Sequence, residues 1–180
     1  MDQIKLRDAR EADRDAIQAV TLAAYEQYAA SMLDNWKYYR QNILATLADI
    51  TPAAQIVAEN GNSIVGSVLF YPAGTQFHAP DGSSRTLALP EIRLLAVAPQ
   101  ARGQGIGAML VQECIRRARH SGVAAITLHT SDMMSVAMRM YERLGFVRNP
   151  ATDFSPGGGV VIKGYRFDLM GQDRSVSNEI

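Results

Sequence analysis

At 180 residues with 47% hydrophobic content, the chain can bury one substantial core, and two would be cramped. Its 18 basic and 18 acidic side chains cancel, which leaves none of the positive excess needed to bind a phosphate backbone and excludes nucleic acid as an expected partner. One cysteine, Cys114, permits neither an internal disulfide nor a cysteine-based metal cluster, so no metal is expected and the cytosol is the compartment that suits the chain.

The N-terminus mixes Asp2, Lys5, Arg7 and Asp8 with isolated apolar residues and lacks the apolar run of a signal peptide or membrane span, so no membrane partner is expected. Ile4 and Leu6 alternate with polar residues as in a short strand. Ile17, Val20, Ala24 and Tyr28 then recur at helical spacing. Leu33, Trp36, Ile43, Leu44 and Leu47 mark a second helix, closed by Thr51-Pro52. Residues 55–59 and 63–71 read as a hairpin around Asn60-Gly61-Asn62. Residues 72–86, rich in Pro, Gly and Ser, read as a long connection before a strand from Leu87 to Val97, irregular near Pro90. Leu94 to Val97 runs through Pro99 into the glycine loop 102–107, and Ile106, Leu110, Cys114, Ile115 and Ala118 continue as an amphipathic helix stopped at Gly122. Residues 125–130 form a strand, Ser131 or Asp132 is the expected N-cap, and Ala137, Met140, Tyr141 and Leu144 are the buried stripe of the next helix. Phe146-Val147 begins a strand, residues 149–159 have the composition of a flexible loop, and residues 160–169 form the last strand. Residues 1–170 are expected to make one domain, followed by a polar tail over 171–180.

Charge is uneven along this order. Residues 1–60 carry six basic and nine acidic side chains, whereas residues 102–148 carry seven basic and three acidic, so the second segment favours anions. Glycines at 103, 105 and 107 let the backbone approach an anion, and the first turn of the following helix offers unpaired N–H groups at its positive dipole end. Alternating glycines alone fit a tight strand-to-helix turn equally well. A P-loop would need a Gly-Lys dipeptide, which is absent from the sequence. A dinucleotide fingerprint would space its glycines differently and carry an acidic residue about 20 positions on, where this chain has Thr127.

With Glu91-Ile92-Arg93-Leu94-Leu95-Ala96-Val97 ahead of Arg102-x-x-Gly105-x-Gly107, and Ala137-x-x-x-Tyr141-x-x-x-Gly145-Phe146 behind, the chain from Ile4 to Leu169 resembles the GNAT superfamily of acetyl-CoA-dependent N-acetyltransferases. The resemblance implies a mixed α/β fold: a mostly antiparallel, twisted sheet of six or seven strands, splayed at its central strand, with about four helices. It implies acetyl-CoA as cofactor, with the diphosphate on Arg102, Gly103, Gln104, Gly105, Ile106, Gly107 and Ala108, and the pantetheine along Leu95, Ala96 and Val97 like an added strand. The partner is then a primary amine of a small molecule or peptide, and a homodimer is the assembly to consider.

A lysine-type amine has a pKa of about 10.4 and is protonated near neutrality, so acetyl transfer needs a proton acceptor. The resemblance assigns that role to Glu91, read otherwise as a surface residue paired with Arg93 or another arginine; His129 is the alternative base. It likewise assigns a backbone N–H of Leu95 or Val97 to the developing oxyanion, and Tyr141 to protonation of the leaving thiolate. Tyr141 also falls on the core stripe of its helix. Many relatives carry Asn where this chain has Met134, which bears on one cofactor contact. Tyr28, Trp36, His129 and Phe154 are the candidate acceptor-site residues. A non-catalytic acyl-CoA-binding regulatory module is the alternative reading, and a phosphate-loop protein of another fold is a third.

Overall fold

The computed structural model describes residues 3–32, 35–78, 82–157 and 160–170. Leu33 and the tail 171–180 lie outside the described residues. In chain order, the first elements are β1 (Lys5–Asp8), α1 (Arg14–Tyr25), α2 (Ala29–Met32), α3 (Asn35–Ala48), β2 (Ala54–Asn60) and β3 (Ser63–Tyr71). Next come β4 (Gln76–His78), β5 (Ser84–Thr86), β6 (Glu91–Val97), α4 (Ile106–His120) and β7 (Ala125–Ser131). The last are α5 (Ser135–Leu144), β8 (Val147–Arg148), β9 (Phe154–Gly157) and β10 (Val160–Asp168). The chain divides into two units, Met1–Tyr71 with Ile92–Glu113, and Pro72–Glu91 with Cys114–Ile180.

In the first unit, β2 pairs antiparallel with both β1 and β3, and β6 lies beside β3. Asn60 faces Ser63 across the hairpin, whose turn is made by Gly61 at φ 58°. Ile56, Val57 and Ala58 are buried in succession, so β2 is covered on both faces. Ile17, Thr21, Ala24 and Tyr25 form the buried stripe of α1, which packs on β3. The stripe turns through Tyr25 rather than running on to Tyr28, because the helix ends at Tyr25 and a 3-10 turn follows. Arg7 ties β1 down, donating to Asp13 at 2.6 and 3.0 Å and to Glu59 at 3.0 and 3.2 Å. Hydrogen bonds from Arg7 hold the Asp13 carboxyl well below its ordinary range, at about 2.

In the second unit, β7 and β10 pair antiparallel from Ala125 opposite Asp168 to Ser131 opposite Ile162. β8 and β9 also pair antiparallel with β10, and α5 packs on β7. Leu128, Phe146, Tyr165 and Phe167 fill this core. The two units together have the mostly antiparallel α/β make-up expected, with four helices of ten residues or more among the described residues.

Four local expectations need correction. The 72–86 connection contains the β4–β5 hairpin, with Gln76 opposite Thr86 and His78 opposite Ser84. The strand expected from Leu87 begins at Glu91: Pro90 has no N–H, and its carbonyl accepts from the Thr127 N–H at 2.9 Å and hydroxyl at 3.0 Å. Leu87 instead bonds back to residues 74 and 75. The segment expected to be a flexible loop after Asn149 carries a turn at Pro150–Thr152 and the paired strand β9. Neither Ser131 nor Asp132 caps α5 with its side chain; Asp132 accepts from Lys163.

Candidate active site

The glycine loop is built from the inside out. Ala98 donates to Val65 at 2.9 Å as the chain leaves β6, and Ile106 is buried while residues 102–105 are exposed. Gly66 in β3 permits the close approach of α4: an added Cβ would lie 3.0 Å from the Ala96 carbonyl oxygen and 3.1 Å from Ile106 and Leu110 side-chain carbons. Gly103 and Gly105 sit at φ 77° and 76°, the left-handed region that disfavours other residues. Open space lies where a Cβ on either would project. Helix α4 starts at Ile106, so its free N–H groups and positive dipole end lie beside that space. The Arg102 guanidinium is turned away, donating to the Ala24 carbonyl at 3.1 Å and to Gln27 at 3.4 Å at the end of α1. What the loop offers to an anion is therefore its backbone groups and not the Arg102 side chain. Gln104 is exposed; Gly107 and Ala108 are half-buried in the first turn of α4.

β6 has one feature with no sequence signal: Leu94 has φ 47°. A leucine in the left-handed region is a strained outlier, and it re-aims the backbone just ahead of Leu95, Ala96 and Val97. Ala96 is buried and Leu95 and Val97 are half-buried. Arg93 lies over the Tyr71 ring at 5.5 Å.

In the second unit, a charged cluster surrounds the first residue of β6. Glu91 is 3% exposed. Its carboxylate accepts from Arg85 at 3.3 and 3.4 Å, and the His129 Nδ1 lies 3.4 Å away. Arg85, on β5, is set over the Phe77 ring of β4 at 5.8 Å, so the hairpin missed in the sequence is what delivers the arginine. On its other side, His129 places Nε2 3.1 Å from the Thr152 carbonyl oxygen, and the Phe154 ring meets the imidazole edge-on at 5.5 Å. Glu91, His129 and Phe154 are thus brought together, with Arg85 and Thr152 as members the sequence did not single out. Glu91 is buried and so is not the surface residue of the alternative reading, although an arginine, Arg85, does pair with it.

The remaining candidates sit elsewhere. Tyr141 is 7% exposed on the buried face of α5, its ring edge-on to Phe146 at 5.9 Å. Met134 is half-buried at the N-cap of α5, with no side-chain hydrogen bond there. Tyr28 and Trp36 belong to an aromatic group in the first unit: Tyr25 contacts Tyr28 and Tyr39, and Tyr39 contacts Trp36, at centroid distances of 6.0–6.2 Å. Burial pushes the Tyr39 hydroxyl up to about 12 and raises Tyr28 too, the latter against the pull of Arg102.

Comparison with known proteins agrees with this architecture. The model of the acetyltransferase (GNAT) family matches residues 17–146. N-acetyltransferase 8F1 of Rattus norvegicus is 35% identical over 118 residues, 62% of this chain and 50% of that protein. The chain therefore spans about half the length of this curated relative. Among solved structures, an acetyltransferase of the GNAT family from Staphylococcus aureus Mu50 superposes with a TM-score of 0.66 at 17% identity, over 93% of this chain and 99% of that one. A GNAT family acetyltransferase from Brucella melitensis, in complex with acetyl-CoA, gives 0.58 at 24% identity over 82% and 84%. The family match runs from α1 through the glycine loop to Phe146, and the chain belongs to the GNAT acetyltransferase family.

Proposed function

We propose that this chain transfers the acetyl group of acetyl-CoA to a primary amine on a small molecule or peptide, by direct attack while both are bound. The observation that carries the reading is the 102–107 loop, whose exposed backbone, left-handed Gly103 and Gly105, open overlying space and adjoining helix N-terminus fit a diphosphate. Acetyl-CoA, which the Brucella structure holds, would supply the acetyl group as a thioester. The backbone of Leu95, Ala96 and Val97 holds the pantetheine arm, and an N–H of Leu95 or Val97 donates to the carbonyl oxygen as charge develops on it. Glu91 takes the proton of the amine, and the Tyr141 hydroxyl donates to the departing thiolate. An isolated Glu, with a pKa of about 4.3, is a weak base for this task, so the neighbours of Glu91 matter. The candidate acceptor residues are Tyr28 and Trp36 in the first unit and, separately, His129 and Phe154 in the second.

One catalytic domain over 1–170 and a cytosolic setting belong to the same reading. They are supported by a family match that runs through both units and by a buried free cysteine, Cys114. No helix among the described residues is long and apolar enough to cross a membrane.

The test is a thermal shift with acetyl-CoA followed by thiol release across an amine panel. A shift and release with at least one amine support the proposal. No shift with CoA, acetyl-CoA or longer acyl-CoAs overturns it. A shift without release from any amine favours the non-catalytic acyl-CoA module, which Met134 in place of an amide side chain also favours.

A further inference from the structure

We infer that Glu91 and His129 act as one base that takes up a single shared proton, with the Thr152 carbonyl fixing which nitrogen of the ring takes part. The inference rests on the acetyl-transfer reading and deepens it. A carbonyl oxygen only accepts, so the 3.1 Å contact with Thr152 requires the proton on His129 Nε2. In a neutral imidazole, Nδ1 is then a bare lone pair, and it faces the Glu91 carboxylate at 3.4 Å. Two lone pairs face each other there. The opposite tautomer moves the conflict to Thr152 without removing it. One added proton resolves both faces at once, because Nδ1–H can then donate to Glu91 while Nε2–H donates to Thr152. The pair without that proton is therefore a stronger base than a lone carboxylate.

Arg85 decides where the proton rests. Its guanidinium contacts both Glu91 oxygens and favours the ionised carboxylate, so the proton settles on Nδ1. In the step, an N–H bond of the substrate ammonium breaks and its electron pair stays on nitrogen, while the proton bonds to Glu91. The Nδ1–H bond forms as the O–H bond breaks, which regenerates the carboxylate; the pair releases the proton to solvent before the next turnover.

The geometry of Thr152 is braced for this role. Its N–H and hydroxyl both donate to the Asn149 carbonyl, at 3.1 and 3.0 Å. Asp153 bridges the Arg148 guanidinium, at 3.0 and 2.8 Å, and the Gly164 N–H at 2.9 Å. Asn149 donates to the Gly164 carbonyl at 2.9 Å. Gly164 is the register partner of His129, and an added Cβ there would lie 1.8 Å from the Thr152 hydroxyl. The turn is thus pinned to the residue opposite the histidine. Among the charged groups around the pair, Arg85 reaches it from β5, Arg148 and Asp153 neutralise each other behind Thr152, and Lys163 is taken by Asp132. Arg148, Asp153 and Gly164 are positioning residues.

The experiment combines nitrogen NMR of the full chain with pH–rate profiles. The chain has three histidines, so the His129 signals are assigned by their loss in His129→Gln. In the unmutated chain Nε2 should carry its proton at every pH at which the chain stays folded, with Nδ1 the ring nitrogen that gains and loses one. A neutral ring protonated on Nδ1 overturns the inference. With an amine that the enzyme acetylates, His129→Gln should lower kcat at neutral pH by about tenfold or more and move the acid limb of kcat/KM to lower pH, leaving KM for acetyl-CoA unchanged. Superimposable profiles also overturn it. Asp153→Asn should mix the two ring tautomers and give an intermediate profile, an effect a purely structural role would not produce. If His129→Gln fails to fold, the signals lost in His78→Gln and His120→Gln assign those of His129 by elimination, and the NMR of the unmutated chain still decides. That readout needs no turnover, so absence of acetyl transfer would count against the function alone.

Discussion

Replacing Gly105 by alanine isolates the proposed phosphate cradle. Gly105 lies at φ +76° and an added Cβ meets nothing within 4 Å, so the fold bears backbone strain without a clash. That strain is about 1–2 kcal/mol for a residue forced left-handed. In a chain of this length the fall in Tm is about 2–8 °C. Gly122, at φ +70° just beyond α4 and equally open, provides the matched control and should show a similar fall. A ligand at a hundredfold excess over Kd adds about 2.7 kcal/mol, which is about 5–11 °C on the same scale. Thermal unfolding with and without acetyl-CoA should show Gly122→Ala keeping this ligand shift and Gly105→Ala losing it, because the methyl group fills the space proposed for phosphate oxygens. A Gly105→Ala protein with an intact shift would refute the cradle. Clearly unequal losses without ligand would refute the strain argument.

Glu91→Gln keeps shape and removes the proton acceptor, so kcat should fall by about 10²–10⁴ while the acetyl-CoA thermal shift persists; an unchanged rate, measured where chemistry limits turnover, removes Glu91 from the mechanism. Tyr141→Phe keeps the ring contact with Phe146 and deletes only the hydroxyl, so kcat and kcat/KM should drop together with KM for acetyl-CoA little changed; full activity would show that solvent protonates the thiolate. Arg7→Met tests linkage: the Asp13 carboxyl is held at about 2 by Arg7, with Glu59 lowered by the same group. Stability from such carboxylates is complete above their ordinary value of roughly 4 and is lost as pH falls through their folded value. Urea midpoints should therefore drop steeply between about pH 4 and 2 in the unmutated chain and less steeply in Arg7→Met. Parallel curves would contradict the assignment.

The elements that were legible in the sequence are those whose signal is local. Asn60-Gly61-Asn62 announces its turn because the glycine there must take positive φ, and α4 announces itself by apolar spacing after three alternating glycines. Gly103 and Gly105 are visible for the same reason. What escaped depends on long-range contacts. β4 and β5 are three residues each and carry Gln76, His78, Ser84 and Arg85, so they show no apolar alternation and exist only as a pair. Arg85 could not be linked to Glu91 before that pairing was known. Thr152 acts through its carbonyl, which leaves no mark on residue identity. Leu94 adopts a glycine-like φ with a side chain that points to ordinary strand. Arg102, read as part of the anion loop, is claimed by the Ala24 carbonyl, and nothing in a linear reading brings residues so distant together.

The outer strands bear on how the protein behaves at high concentration. An edge strand offers unpaired N–H and C=O groups that can template another chain, and folded proteins blunt such edges with brevity and charge. β1, which pairs with β2, has four residues, and Lys5, Arg7 and Asp8 are three of them. β8 has two residues, and its Arg148 is bound to Asp153. A strand arriving at β1 would have to pass charged side chains, one of them locked to Asp13 and Glu59. β1 and β8 therefore each resist the strand-to-strand growth that leads to fibrils, and a second copy would find little footing on the backbone of either.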